Sequence, residues 1–456
     1  MLSDFAALIL AFLTATIATE AIQTTYYGRA PGEFYSHLLA DRLTIVSVLS
    51  FFIMGWFAHK RHYTGRRGFW TEAKHILLVI AAVALLDGWL HFALKMQASR
   101  LWQVQLWLYA ATFILSARIL ARQALRALGA WERSTLLIGH SDALTELRAF
   151  TSKERYLGYH ILAAVDFGHA EDKLLARIED RLLHQPNLTH ALVACDGLPL
   201  GLLGRVVEVL NRSQIMYGLI PPLRGMPLVG LELDQFIGYD FIVLQSHRPA
   251  LERTGTQLAK RCFDVFAASL LLLVLAPLLV VISGLLRLEG GPAFYASRRR
   301  GYGGRVFSAL KFRTMRSDAE LVLRELLARD PAVRSEWLAS YKLKNDPRIT
   351  RLGRFLRRTS LDELPQLINV LCGEMSLVGP RPLLLDEVPP YERWLHLYEK
   401  VRPGITGMWQ VSGRDDVDYW RRVQLNNWYI RNWCLWHDLV ILIKTVGVVI
   451  RGGGAS

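Results

Sequence analysis

Four long apolar stretches fall within the first 120 residues: Phe5–Ile22, Leu43–Ala58, Ile76–Leu94 and Leu101–Ala117. Each approaches the ~20 residues an α-helix needs to cross a ~30 Å hydrocarbon layer. We therefore expect an α-helical membrane bundle of four helices over residues 1–125. The first stretch reads as a retained anchor rather than a cleaved signal peptide: Met1–Asp4 has no basic residue and no small-residue cleavage pattern follows. Lys60, Arg61, Arg66, Arg67 and Lys74 crowd the second connection, and Arg118, Arg122, Arg126 and Arg133 follow the fourth stretch. The other two connections are poorer in basic residues. Basic loops stay in the cytoplasm, so both ends of this unit are expected there. Asp87 and His91, four apart, share one face of the third helix inside the membrane. They read as a proton or ion site, or as a packing or dimer contact between helices; the contact is favoured.

From Thr135 the texture changes to short β-type runs separated by polar helical stretches. The runs are Thr135–Ile138, His160–Phe167, His190–Cys195, Ile215–Ile220 and Phe241–Leu244. Alternating strands and helices predict a Rossmann-like α/β domain with a parallel sheet over residues 130–250. The first strand enters Gly139, but Ser141 and Leu144 stand where a dinucleotide site needs glycines. A domain without a bound dinucleotide, serving assembly or regulation, is expected.

Val265–Leu286 is a fifth apolar run, without a charge. Length alone makes it a spanning helix. Two features oppose that reading. Lys260 and Arg261 precede the run while Arg287 and Arg298–Arg300 follow it, so both ends carry the cytoplasmic charge signature. Pro277 lies near its middle, where it removes a backbone hydrogen bond and bends a helix. The expectation is a re-entrant membrane helix over 264–287 that turns at Ala276 and Pro277. The alternative, a kinked spanning helix, places residues 287–456 on the other side of the membrane.

The remainder, 255–456, is expected to be a mainly α monotopic domain, and it carries most of the charge. Of a net +14 for the chain, residues 251–456 contribute +11, with 31 basic against 20 acidic side chains. An anionic partner should therefore meet this part. Nucleic acid is not that partner, because the chain has no recognition motif and its basic residues interleave with apolar ones. With 52% apolar residues the chain is also too greasy for a disordered or purely surface-binding protein. Cys195, Cys262, Cys372 and Cys434 are far apart, with no pairing at metal or disulfide spacing, and read as ordinary reduced, buried residues.

Within this domain Arg298–Arg305 holds Gly301, Gly303 and Gly304, which suit either a phosphate or a hairpin turn. A strand-like Val306–Met315 follows, with Lys311 and Arg313. Arg351, Arg354, Arg357 and Arg358 then recur at helical spacing among Ile349, Leu352, Phe355 and Leu356, the pattern of a basic amphipathic helix on anionic lipid. It ends at adjacent carboxylates, Asp362 and Glu363, and Pro365 marks the first turn of a new helix. Ser360 and Glu363 also match a capping box, an arrangement without chemistry. Two carboxylates among arginines, followed by Gly379-Pro-Arg381-Pro, could instead hold Mg²⁺ and a diphosphate with one carboxylate as nucleophile. Both readings stay open on local pattern alone.

Together these stretches resemble the bacterial sugar transferase family, polyprenyl-phosphate hexose-1-phosphate transferases with a monotopic core. The matching motifs are Lys311–Met315, Thr359–Val370, Gly373–Pro382 and Arg402–Arg414, in order across about Lys260–Arg451. The resemblance implies transfer of hexose-1-phosphate from a UDP-hexose to undecaprenyl phosphate, releasing UMP and initiating exopolysaccharide, capsule or O-antigen synthesis at the bacterial inner membrane. It implies Asp362 as a nucleophile that forms a covalent phosphosugar intermediate, with Glu363 assisting through Mg²⁺. Arg381, Lys311 and Arg313 are phosphate-binding candidates, and Arg357 matches the family arginine for the lipid phosphate. Arg402, Gln410 and Arg414 fall on the nucleotide side. Residues Leu326–Trp337, Lys342–Thr350, Asp415–Asp418 and Trp428–Trp433 are similar to galactose phosphotransferases, which favours UDP-galactose over UDP-glucose. Ser297 departs from the family pattern two residues before Arg299. Trp433–Ile450 reads as a final amphipathic helix, and a homodimer through the membrane or α/β unit fits this organisation. The rival of another class is a membrane-tethered regulator or scaffold.

Overall fold

The computed structural model describes residues 1–28, 39–95, 99–167, 173–223, 225–229, 231–235, 242–246, 251, 253–330, 333–335, 343, 346–385, 394–413 and 418–450. The chain is mostly helical and divides into two compact units, Met1–Pro222 and Leu223–Ser456.

In the first unit four apolar helices follow one another: α1 (Leu2–Tyr27), α2 (Leu39–His59), α3 (Phe69–Ala93) and α4 (Arg100–Ala127). All four contain stretches long and apolar enough to cross a membrane. Ala7, Ala11 and Ala15 of α1 pack in one core with Ile53 and Phe57 of α2, Ile76 of α3, and Ala110 and Ile114 of α4. Several buried charges on these helices are paired. Arg118 bonds Asp4 and Glu72, and Arg122 lies 2.8 Å from Glu72, which also accepts from Tyr156. Asp87 accepts from Trp107 Nε1 at 2.9 Å, and His91 Nδ1 lies 3.2 Å from the same carboxylate. Such partners offset the cost of burying polar groups, and Asp87 ties α3 to α4.

A parallel sheet follows, from β1 (Arg133–Gly139), β2 (Tyr159–Asp166), β3 (His190–Ala194) and β4 (Met216–Ile220), in the order β2-β1-β3-β4. The crossovers are α5 (Ser141–Lys153), α6 (Leu174–His184) and α7 (Leu200–Arg212). Leu136 and Ile138 on β1 and Val193 on β3 are fully buried against Leu174, Ile178, Val206 and Leu210, each worth roughly 1.5–3 kcal/mol. The expected fifth strand does not join this sheet. Residues Ile242–Ser246 form β6, which pairs antiparallel with β5 (Leu231–Gln235). A parallel partner needs a crossover of a dozen or more residues, and the segment between β5 and β6 is shorter than that. Phe241 lies outside the described residues.

The second unit is built on α8 (Thr254–Leu288), a helix assigned without interruption through Pro277. An antiparallel hairpin follows, β7 (Phe294–Arg300) and β8 (Val306–Phe312), with Phe294 opposite Phe312. Gly303 and Gly304 take positive φ at its turn, as a hairpin turn there requires. After α9 (Ala319–Arg329) come α10 (Arg351–Thr359), a 3₁₀ turn over Leu361–Glu363, and α11 (Gln366–Cys372). Short strands β9 (Ser376–Val378) and β10 (Gly404–Thr406) pair in parallel, and α12 (Leu395–Tyr398), α13 (Met408–Val411), α14 (Tyr419–Arg431) and α15 (Leu435–Ile450) complete the unit.

Both halves of α8 pack on this body. Phe263, Ala267 and Ala268 meet Leu367 and Val370 of α11, while Ile282 and Leu286 meet Phe312 and Leu356. Between them Leu270, Leu273, Val274, Val280 and Val281 are exposed. The base of the helix is pinned by Lys260, which bonds Asp438 at 2.7 Å, and by Asp264, which accepts from Ser376 Oγ and Leu377 N. The cysteines are free as expected, but none is buried: Cys262 and Cys372 are exposed on helix surfaces, and Cys195 and Cys434 are half-buried.

Candidate active site

The carboxylate pair sits where the chain turns from α10 into α11. Thr350 starts α10 by accepting from Gly353 N at 2.8 Å. Gly353 is required by close approach, because an added Cβ would overlap the carbonyl oxygen of Thr314. Leu356 points inward, while Arg351, Arg354, Phe355 and Arg358 are exposed, so the helix presents arginines and an aromatic side chain outward. Ser360 stops the helix in the left-handed region at φ 56°. Pro365 then opens α11, where its missing N–H forfeits no intrahelical bond.

The capping-box reading is not what the side chains do. Ser360 makes no side-chain cap, and Glu363 instead reaches Lys311 Nζ on β8, at 2.7 Å. Asp362, beside it, is half-buried. Burial, then the neighbouring Glu363 charge, push its carboxyl up to about 6, against the pull of Lys311 and Arg357. Arg357 donates to Thr314 Oγ1 at 2.9 Å. Burial holds that guanidinium below its ordinary value despite the nearby Asp362 and Asp346.

Of the basic candidates, Lys311 and Arg357 are therefore brought to the pair. Arg313 is not: it is buried and donates to Leu286 O at 3.0 Å, clamping the C-terminal end of α8 against Gly291. Arg381 lies with its guanidinium 5.4 Å from the Trp409 ring. Arg402 donates to Gly373 O at 2.8 Å and covers the Tyr302 ring at 5.0 Å. Gln410 donates to Ile405 O at 3.2 Å. Arg414 lies outside the described residues. Ala276 and Pro277 fall within α8, between its two packed halves.

Four further residues support the site, and sequence reasoning gave none of them a role. Thr314 orients Arg357. Asn369 fixes β8 to α11 by accepting from Leu310 N at 3.0 Å and donating to Ser308 O at 2.9 Å. Asp346 and Arg348 form a buried two-point ion pair at 2.8 and 2.6 Å under Arg357. Only Asp346-Pro-Arg348 carries a sequence signal, a charged pair around a proline; the others need the tertiary fold.

Among the described residues no group of three or more His, Cys, Asp or Glu side chains converges. A pair of adjacent carboxylates nonetheless suits Mg²⁺, which is usually bound through one or two carboxylates and takes its remaining ligands from water and substrate phosphates. The donor set fits that ion.

Residues 255–452 match the profile of the bacterial sugar transferase family. The chain is 38% identical to the undecaprenyl-phosphate galactose phosphotransferase of Salmonella typhimurium, over 91% of this chain and 89% of that one. This chain belongs to the bacterial sugar transferase family. It is also 35% identical to the UDP-galactose-lipid carrier transferase of Erwinia amylovora, over 93% and 92% of the two chains. A shorter relative, the exopolysaccharide production protein ExoY of Rhizobium meliloti, is 48% identical over 43% of this chain and 88% of its own. This sugar transferase is thus an enzyme with membrane-type helices, and the matched region contains the whole Asp362 site.

Proposed function

We propose that the protein transfers hexose-1-phosphate, with galactose favoured over glucose, from a UDP-hexose to undecaprenyl phosphate. This step would begin exopolysaccharide, capsule or O-antigen synthesis at the cytoplasmic face of the bacterial inner membrane. The observation that carries the reading is Asp362: a half-buried carboxylate held beside Glu363, Lys311 and Arg357 at the end of an arginine-bearing helix. The choice of galactose follows the names of the two relatives that match over most of the chain.

In this mechanism a carboxylate oxygen of Asp362 attacks the hexose-bearing phosphorus of the donor. The bond from that phosphorus to the bridging oxygen breaks, and UMP leaves with its electron pair. Undecaprenyl phosphate then attacks the same phosphorus, the aspartyl–phosphorus bond breaks, and Asp362 returns as a free carboxylate. Ionised Asp362 meets a diphosphate of like charge. Lys311 and Arg357 offset that repulsion, and Arg381 extends the positive lining. Asp362 and Glu363 would hold Mg²⁺, which when bound supplies further charge neutralisation of the phosphates. Gln410 and Arg414 are assigned to the nucleotide side; Arg402, which donates to Gly373 O at the far end of α11, is not.

A soluble donor and a lipid acceptor must meet at one surface, which is what a re-entrant α8 provides. Its two ends pack on the same polar body, at Leu367–Val370 and at Phe312–Leu356, and its exposed middle is the apolar part. If α8 spanned the bilayer, that arginine-rich body would lie beside it within the hydrocarbon layer, at prohibitive cost. We further propose that α1–α4 form a membrane-spanning bundle, that the parallel sheet is a Rossmann-like domain without a dinucleotide, and that the first unit supports a homodimer.

Purified protein incubated with Mg²⁺, undecaprenyl phosphate and single UDP-sugars should release UMP with UDP-galactose. Release with UDP-glucose alone would reassign the donor. No release with any sugar would leave a regulator or scaffold as the better reading.

A further inference from the structure

A second basic cavity lies in the unit Leu223–Ser456, at the other end of α11 from Asp362. Arg261 donates to the carbonyls of Val370 and Leu371 at the C-terminal end of α11, and Arg402 donates to Gly373 O just beyond it. The helix between these groups and the carboxylate pair is about 10 Å long at 1.5 Å per residue. The cavity is lined by Lys260, Arg261, Asp264, Tyr302, Lys400 and Arg402 among others, and measures about 30 Å³. That is room for about two water-sized groups, too little for a nucleoside base or a sugar ring.

Its charge is unbalanced. Lys260, 8% exposed, is matched by Asp438 at 2.7 Å and Asp264 at 3.8 Å. The oxygens of Asp264 are engaged by Ser376 Oγ at 2.8 Å and Leu377 N at 3.2 Å. Arg261 and Arg402, in contrast, bond only neutral carbonyls among their described hydrogen-bond partners, so both keep an uncompensated charge. Planar guanidiniums at the mouth of a space that fits two oxygens match a phosphate group.

Depth adds a constraint. Lys260 stands five residues before Val265, where the apolar run begins, which is about 7 Å along a helix. The headgroup layer on each side of the hydrocarbon is ~5–8 Å thick. We propose that this cavity binds a phosphate group at the membrane surface, separate from the phosphates that react at Asp362. The proposal rests on α8 being membrane-inserted and is independent of the transfer chemistry. The phosphate belongs either to an anionic lipid headgroup or to a soluble anion; both are captured by the same two arginines.

Lys400, exposed at the rim, reports occupancy. Full-length protein is placed in nanodiscs of phosphatidylcholine or of phosphatidylglycerol, and acetylation of Lys400 is followed by mass spectrometry, with Lys60 as a second membrane-proximal lysine. With a headgroup in the site, Lys400 should react about fivefold more slowly in phosphatidylglycerol, the protection given by a ligand at four times its Kd, while Lys60 changes little. Arg261→Gln and Arg402→Gln, each tested alone, should both remove the protection. If millimolar inorganic phosphate protects Lys400 in phosphatidylcholine discs, the site stands and its ligand is a soluble anion. Equal slowing of Lys60 and Lys400 would reflect surface potential only and, like no protection at all, overturns the proposal. Asp362→Asn should leave the protection intact, so loss of transfer and loss of this site are separable results.

Discussion

Asp362 links catalysis to stability through one proton. Its carboxyl is raised to about 6 in the fold by burial and by Glu363, whereas an unfolded aspartate titrates near 3.9. Between those values the folded state binds more protons than the unfolded one, so stability falls as pH rises through this window and stays lowered above it. Asp362→Asn removes that penalty. The variant should lose UMP release by a factor of about 10⁴ or more, as expected for loss of a covalent nucleophile. It should nevertheless be more stable than the parent at pH 7, by about 1–2 kcal/mol once partial exposure is allowed for. Below about pH 4 the two proteins should converge in thermal melts. Equal melting temperatures across the whole pH range would show that the site imposes no such strain. The same charge arithmetic predicts the rate profile. Transfer needs ionised Asp362, so kcat/KM should rise with pH to a midpoint near 6. Glu363→Gln removes a like charge and frees Lys311, so whatever activity remains should show this acid limb at lower pH. A limb that stays or moves upward would contradict the pairing of Glu363 with Lys311.

At the scale of elements, local pattern revealed what local physics decides. The apolar stretches of α1–α4 and the first four strands emerged near their observed limits, because membrane thickness and strand period act on contiguous residues. Tertiary partners decided the rest. Alternation along a strand puts Lys311 and Arg313 on one face, yet β8 ends at Phe312 and Arg313 turns to the carbonyl end of α8. Ser360 and Glu363 have capping-box spacing, but Lys311, 52 residues away, takes the glutamate. Lys260 and Arg261 looked like the flank of an apolar run and are instead inside α8, where Lys260 is tied to Asp438 from 178 residues away. Packing at α10 yields a further expectation. Gly353→Ala drives a methyl group into the carbonyl of Thr314 and should cost about 1–3 kcal/mol, with activity lost in proportion as Arg357 leaves Thr314. A variant as stable as the parent would mean that α10 shifts without strain. For α8, single cysteines at Gln257 and Glu289, placed in a cysteine-free background, should both react with an impermeant maleimide from the cytoplasmic side. Labelling from opposite sides would establish a spanning helix.

For the whole molecule the question is what each compact unit contributes. The family match covers residues 255–452, and every group placed at the carboxylate pair comes from the unit Leu223–Ser456. That unit has its own core, around Leu367, Val370, Met375, Tyr429 and Trp433, and its own apolar helix for the membrane. The first unit has a separate core within α1–α4 and another in the parallel sheet, and its buried charges pair with one another. A chain beginning at Leu223, reconstituted in lipid, should therefore keep kcat for phosphosugar transfer within about tenfold of the full protein, a change of at most ~1.4 kcal/mol in the barrier. What it should lose is any self-association supplied by α1–α4 or the sheet, measurable as a lower mass in detergent by light scattering. A truncated chain that folds, binds lipid and yet transfers nothing would place an essential residue in Met1–Pro222 and would require the catalytic assignment to be redrawn across both units.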